Sequence, residues 1–359
     1  MKRNVILISA AIVFSVLMWK CSENGNSVNP VNNLSLKESL DNGVNKVNQA
    51  ISAIQQTQGY QVLTMNGNSN MKSTADSVGF QDSITFNDVK GIYEFQPVQM
   101  GYDFGHGMYR LFSKTGDSSL FVVKLPQQLV FHPYRLHTVN LADTTLTNDF
   151  VITASDYHYY FSNGFLYDYR LMAGIDVDST NIGDLDIESV RNSASDYNYS
   201  SMYTFSNGYK ISVGVMSGDT VKSSFSLSND TTTLLKESTE YLPKANLWHR
   251  ERNYMLTVGN VEFRKYSGVD SIQVYLNGVL QNNATIQFID QADSTGGNTI
   301  CHHNRDIQIT FDDGTSMTFS SLIGPSLDAL SGLVDSMHDV YFATKVVNYI
   351  AWDIYNNSN

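Results

Sequence analysis

Three stretches of the 359-residue chain gather residue types that could do chemistry. The first is "GIDVDSTNIGDLDIE", Gly174 to Glu188, where Asp176, Asp178, Thr180, Asp184, Asp186 and Glu188 offer oxygens at mostly alternating positions. Calcium is held by carboxylate and hydroxyl oxygens clustered in short segments of this kind. Asp176, Asp178 and Thr180 fit the first three ligand positions of a calcium loop. The fit then stops, because Asn181 stands where that loop needs glycine and Ile187 where it needs glutamate. An irregular calcium loop between strands is one reading. A solvated acidic strand, with Leu185 and Ile187 alternating between the acids, is the other.

The second stretch is "DYHYYFSNGFLYDYRL", Asp156 to Leu171. A two-residue turn at Asn163-Gly164 pairs Tyr160 with Tyr167 and His158 with Tyr169, and puts Phe165 on their face. Tyr160, Phe165, Tyr167 and Tyr169 then form either a core with hydroxyls at its rim or a surface for a sugar or an apolar ligand. The third is "CHHNRD", Cys301 to Asp306. Cysteine and histidine hold zinc or copper, but His302 and His303 on one strand point to opposite faces. The motifs G-x-S-x-G and H-E-x-x-H, a Walker loop and a dinucleotide fingerprint are absent from the sequence.

The elements that must position these groups follow from periodicity. Leu36, Leu40, Val44, Val47, Ile51 and Ile54 recur at helical spacing, which predicts an amphipathic helix over 35–59 with a capping box at Ser35 and Glu38 and a stop at Gly59. From residue 76 to 322, short Val/Ile/Tyr/Phe/Thr runs alternate with polar residues and are cut by Asn-Gly and Asp-Gly pairs. Turns are expected at Asn163-Gly164, Asn207-Gly208, Asn277-Gly278 and Asp313-Gly314. Three of these hairpins share a phenylalanine, a glycine three later and a glycine ten after that, as in Phe161, Gly164 and Gly174. Their uneven separation suggests one hairpin reused in one antiparallel sheet system rather than a solenoid. After Pro325, Leu327, Leu330, Val334, Met337 and Tyr341 predict a helical segment extending toward residue 355. The expected class is α+β, mostly β: a curved sheet or sandwich of hairpins between terminal helices. The proline in "TEYLPK", Thr239 to Lys244, is a candidate division of the β region.

The chain carries a net charge of −12 and no basic stripe, which disfavours nucleic acid and anionic lipid surfaces as partners. At its start, Lys2 and Arg3 precede an apolar run from Val5 to Trp19, and Cys21 opens an Asn/Ser/Gly-rich stretch. This arrangement resembles a bacterial lipoprotein precursor, with residues 1–20 as signal peptide and 21–34 as flexible tether. Lys20 and Met18 depart from the small residue and leucine which that family prefers before its cysteine. The resemblance implies that Cys21 is lipidated after cleavage and that the protein sits in the cell envelope, exported and membrane-anchored. Loss of residues 1–20 removes three positive charges and no acid, taking the net charge to −15. Cys301 is then a lone cysteine, so no disulfide framework is expected.

These readings point to an envelope lipoprotein with a non-enzymatic binding or structural role. Two alternatives stand beside it. The helix–sheet–helix order is similar to lipoprotein-carrier folds, which implies an apolar ligand or lipid in a curved-sheet cavity. The acidic stretch would serve a calcium-dependent glycan binder or a secreted hydrolase.

Overall fold

The computed structural model describes residues 34–64, 82–96, 112–127, 147–162, 166–193, 195–230, 232–242, 252–269, 271–290, 305–311 and 313–323, with helical residues 329–330, 333, 346–348, 350–352 and 354–355. Cys21, Phe165, the Asn163-Gly164 turn and Cys301 to His303 lie outside the described residues. The chain is α+β and mostly β, as its hairpin signals predict. It divides into two compact units, each discontinuous in sequence: residues up to Gln55 with Tyr209–Ser331, and Gln56–Gly208 with residues from Gly332 onward. The proline-bearing candidate division is corrected by this, because Thr239 to Lys244 falls within the Tyr209–Ser331 part of the first unit.

In the first unit, helix α1 (Leu36–Gln55) starts where its capping box predicts. The Ser35 amide donates to Glu38 Oε2 at 2.9 Å and the Glu38 amide to Ser35 Oγ at 3.3 Å. The Ser35 amide, and the Ser35 hydroxyl donating to the same oxygen at 2.8 Å, hold the exposed Glu38 carboxyl below its ordinary pKa. Leu40, Val44, Val47, Ile51 and Ile54 are buried, so the apolar stripe is the packing face. Gly43 sits in that stripe because a Cβ there would come within 3.0 Å of the Val258 carbonyl oxygen. The helix lies on a seven-stranded antiparallel run of β9 (Tyr209–Ser217), β10 (Val221–Asn229), β11 (Thr232–Tyr241), β12 (Arg252–Val258), β13 (Val261–Lys265), β14 (Gln273–Leu276) and β15 (Val279–Leu280).

The β14–β15 hairpin turns at Asn277-Gly278, both with positive φ, as the sequence predicts for a type I′ turn. Asp313-Gly314 departs from expectation. It lies in a five-residue connection between β17 (Arg305–Thr310) and β18 (Ser316–Thr318), which form a separate three-stranded sheet with β16 (Thr285–Asp290). The third hairpin copy is therefore not part of the larger sheet. Its second strand is short because Thr318 and Ser321 exchange amide-to-hydroxyl bonds, each 3.2 Å, and start a helical turn at Phe319.

In the second unit, a short helix α2 (Gln58–Thr64) follows Thr57, whose hydroxyl accepts from the Tyr60 amide at 3.1 Å. Gly59 was expected to stop the preceding helix. It lies instead inside α2, where a Cβ would come 2.6 Å from the Ile182 carbonyl oxygen. The sheet runs β8 (Tyr197–Phe205), β7 (Thr180–Arg191), β6 (Leu166–Val177), β5 (Phe150–Ser162), β4 (Phe121–Leu125), β2 (Gly91–Phe95) and β3 (Phe112–Gly116), antiparallel except for β2 with β4. The N-terminal half of β5 pairs with β4 and its C-terminal half with β1 (Asp82–Thr85). A bulge at Ser155 in β5, opposite β6, divides the two halves. Among the described residues no helix is long and apolar enough to cross a membrane.

A candidate ligand trough on strands β5 to β8

The β5–β6 hairpin does not have the register that its Asn-Gly pair suggests. Ser162 faces Leu166, so three residues connect the strands, and every pairing shifts by one. Tyr160 is opposite Asp168, Tyr159 opposite Tyr169 and Phe161 opposite Tyr167. Because side chains alternate between faces, the shift separates Tyr160 from Tyr167 and Tyr169. Tyr160 shares the outer face with His158, Asp168 and Arg170, whereas Tyr167 and Tyr169 face the inside with Tyr157 and Tyr159.

The acidic stretch is a hairpin rather than a loop. Asp176 is the last but one residue of β6, Asp178 and Ser179 form a two-residue turn with φ of 49° and 64°, and Thr180 begins β7. The Asp178 amide donates to the Asp149 carbonyl at 2.9 Å, which anchors the turn. Asp184, Asp186 and Glu188 alternate along β7 on the outer face, while Leu185 and Ile187 are buried. Among the described residues no three His, Cys, Asp or Glu side chains are gathered as a metal group. The outer face instead carries a local ion pair, Arg170 to Asp156 at 3.7 Å, and places His158 Nε2 3.6 Å from Asp168 Oδ2.

The inner face is where the aromatic residues converge. Its base is Tyr157, 1% exposed, packed edge-on against Phe121 at 5.9 Å and Tyr169 at 6.1 Å. The Tyr157 hydroxyl donates to Asn348 Oδ1 at 3.0 Å, tying the C-terminal helical residues to this sheet. Burial pushes the Tyr157 hydroxyl pKa well up, so this group is a fixed donor, not an acid. Farther along, Tyr159 meets Tyr167 edge-on at 5.8 Å and Trp352 at 6.0 Å.

Beyond this base the register builds a two-row pattern. One row reads Tyr159, Tyr169, Ser189, Tyr199 across β5 to β8, and the next reads Phe161, Tyr167, Arg191, Tyr197. Tyr167 and Tyr169 stack along β6, with rings 6.2 Å apart and 22° from parallel. Tyr197 and Tyr199 stack along β8 at 6.5 Å and 10°. Two tyrosine walls thus stand on alternate strands, roughly 9.5 Å apart by two strand spacings. Between them β7 supplies Ser189 and Arg191. Ser189 and Tyr169 are buried, 6% and 3% exposed, so the accessible part of the row lies at Tyr167, Arg191, Tyr197 and Tyr199.

The Ser189 hydroxyl donates to the Tyr197 hydroxyl at 3.4 Å, and Arg191 Nε donates to the Ser193 carbonyl at 3.1 Å. Next along β8 on the same face is Ser201, 2% exposed, whose Oγ has no hydrogen-bond partner among the described residues. A buried hydroxyl left without a partner is costly, and an ordered water is the usual remedy. Of the aromatic residues singled out in the sequence, Tyr167 and Tyr169 belong to this trough and Tyr160 does not. Tyr197 and Tyr199 were missed, although "DYNYS" places two tyrosines on one strand face. Comparison of the chain with protein-family models, curated proteins and solved structures gives no match.

Proposed function

We propose that the protein is a lipid-anchored envelope protein that binds a sugar-like ligand, without transforming it, in the tyrosine trough of β5 to β8. The observation that supports this most is the pair of stacked tyrosine walls, Tyr167 with Tyr169 and Tyr197 with Tyr199, on one face of the sheet. Tyrosine offers an apolar ring face and a polar tip, which matches the C–H face and hydroxyl rim of a pyranose. The acidic outer face is separated from the trough by the sheet itself. Cys21 precedes Ser35, where the first folded element is capped, by fourteen residues. A tether of that length reaches at most about 50 Å, so the first unit would stay close to the membrane.

The test is a calorimetric titration of the full mature chain with oligosaccharides. Tyr167→Ala and Tyr199→Ala are each expected to weaken binding about tenfold, the equivalent of roughly 1.4 kcal/mol of lost ring contact. Tyr160→Ala, on the opposite face, is expected to change nothing. Equal losses in all three, or no binding by the unmodified chain, would count against the trough. For the anchor, mass analysis of the membrane fraction is expected to find acyl groups on the fragment that begins at Cys21, and Cys21→Ala should lose them. An unchanged mass and membrane partition in Cys21→Ala would remove the lipid from the account.

A further inference from the structure

The outer faces of the two units' strands are unlike in charge and in relief. On β5 to β8, Asp156, Asp168, Asp184, Asp186 and Glu188 face outward, and Arg170 is the one lysine or arginine beside them among the described residues. One cross-strand row of that face reads Asp156, Met172, Asp186, Met202. Met172 is 43% exposed and Met202 37%, so two flexible apolar side chains stand out of an acidic surface. Exposed methionines of this kind suit an adaptable contact surface. On β9 to β11 the outward charges are Lys210, Lys222 and Lys236 against Glu240. Lys222 is paired with Glu240 at 2.9 Å, whereas Lys236 is exposed and has no ion pair among the described residues. Around the lysines the surface is low, because its rows read Gly214, Ser224, Ser238 and Ser212, Ser226, Lys236. The Ser212 and Ser226 hydroxyls bond to each other at 2.7 Å, which keeps that row flat.

We infer that the protein associates with a second copy of itself through these unlike faces. The acidic, methionine-bearing outer face of β5 to β8 in one molecule meets the lysine-bearing, serine-lined outer face of β9 to β11 in another. Charge is complementary across the contact, and so is relief, since methionines stand out on one side and glycine and serine lie low on the other. Because the two faces differ, each contact leaves one acidic and one basic face unused, the arrangement that extends into a chain or closes into a ring. Three strand spacings by about five residues make a patch on the order of 300 Å² a side, small for a stable dimer. The contact is therefore weak, and the net charge of −12 opposes it at long range. Chains held in one membrane by the proposed anchor would meet at raised local concentration. The trough lies on the opposite face of β5 to β8, so this inference stands or falls apart from it.

The experiment is sedimentation equilibrium of the full mature chain at concentrations up to about 1 mM, the range in which so small an interface fills. It is run on the unmodified chain, on Asp186→Lys, on Lys236→Glu and on an equal mixture of the two variants. The unmodified chain is expected to show a mass above one copy that rises with concentration. Lys236→Glu should weaken association about five- to tenfold. Asp186→Lys should weaken it as much, although it reduces the overall repulsion between copies and a non-specific effect of charge would strengthen association. Mixing should restore the unmodified behaviour, because the intact acidic face of one variant meets the intact lysine face of the other and the two reversed faces also match. An unchanged circular dichroism melt for each variant guards against a folding defect. A single-copy mass at every concentration would overturn the inference. In that case polylysine bound by the unmodified chain and lost in Asp186→Lys would give the acidic face to a different basic partner. Stronger association of Asp186→Lys, or a mixture no better than either variant alone, would overturn it too.

Discussion

Between pH 5 and pH 8.5 the unmodified protein is expected to lose stability steadily, and Glu237→Gln is expected to abolish most of that loss. Glu237 lies on the inner face of the first unit's sheet, in the cross-strand row Val213, Phe225, Glu237, Leu256, Phe263, Val274. Every other member of that row is a hydrocarbon side chain. The Tyr254 hydroxyl bonds to the carboxyl and favours its charged form, but desolvation is the larger effect and pushes its pKa up to about 8. The folded state thus keeps the proton after the unfolded chain has released it, near the ordinary 4.5. Below about 4.5 both states are protonated and this group adds no pH dependence. From there to about 8 the unfolded state is progressively favoured, at about 1.4 kcal/mol per pH unit and so a few kcal/mol at most.

Glutamine keeps the shape and cannot ionise. The urea midpoint of the first unit's transition should therefore fall with pH in the unmodified chain and stay nearly level in Glu237→Gln. Glu38 and Asp313 act in the opposite direction. Hydrogen bonds from Ser35 and Thr315 respectively lower their pKa values, and what they add is lost as pH falls through those values. Stability should accordingly peak on the acid side of neutrality. Parallel pH profiles for the two proteins would show that Glu237 does not sit protonated in the folded sheet.

Gly183→Ala is expected to destabilise the second unit by at least about 3 kcal/mol, at the upper end of overpacking costs. A Cβ at Gly183 would lie 2.5 Å from the Thr204 carbonyl oxygen and 2.5 Å from the Tyr203 ring. Neither can step aside. Tyr203 is fully buried with its hydroxyl donating to the Ile182 carbonyl at 3.2 Å, and Thr204 is held in the β7–β8 ladder. Burial raises the pKa of the Tyr203 hydroxyl, which keeps it in the donor form at every relevant pH. Ile182 is also the point where α2 approaches through Gly59, so the strain would spread from sheet to helix. Gly174→Ala is the matched control in the same sheet, because its Cβ would meet nothing closer than 3.4 Å. Thermal unfolding should separate the two variants clearly. Equal melting temperatures would mean that the sheet yields at Gly183 more readily than its packing implies.

What the sequence made legible was local. The α1 stripe and its Ser35–Glu38 box depend on residues three and four apart, and they form as expected. Asn277-Gly278 has both residues that a type I′ turn requires, and it forms too. The failures came where one residue of offset decides the outcome. Asn163-Gly164 looks like a two-residue turn, yet the strands are joined by three residues, and that difference sends Tyr160 to the opposite face. Asp178-Ser179 turns without a glycine, so the turn itself went unmarked, although the alternation of Leu185 and Ile187 with the acids did indicate the strand that follows it. The trough was beyond reach for another reason. It needs Tyr199 beside Ser189 and Ser189 beside Tyr169, a register across three strands that no short window contains. Glu237 was hidden likewise, since only the pairing of β10, β11 and β12 shows that its neighbours are apolar.

Nuclear magnetic resonance of the full mature chain, labelled on its tyrosine rings, would show directly whether ligand meets the inner face of β5 to β8. On titration with the tightest-binding oligosaccharide, the ring signals of Tyr167, Tyr197 and Tyr199 should shift together with one dissociation constant, while Tyr160 stays in place. Shifts centred on Tyr160, or a saturable binding isotherm with none of the three trough tyrosines moving, would contradict the account.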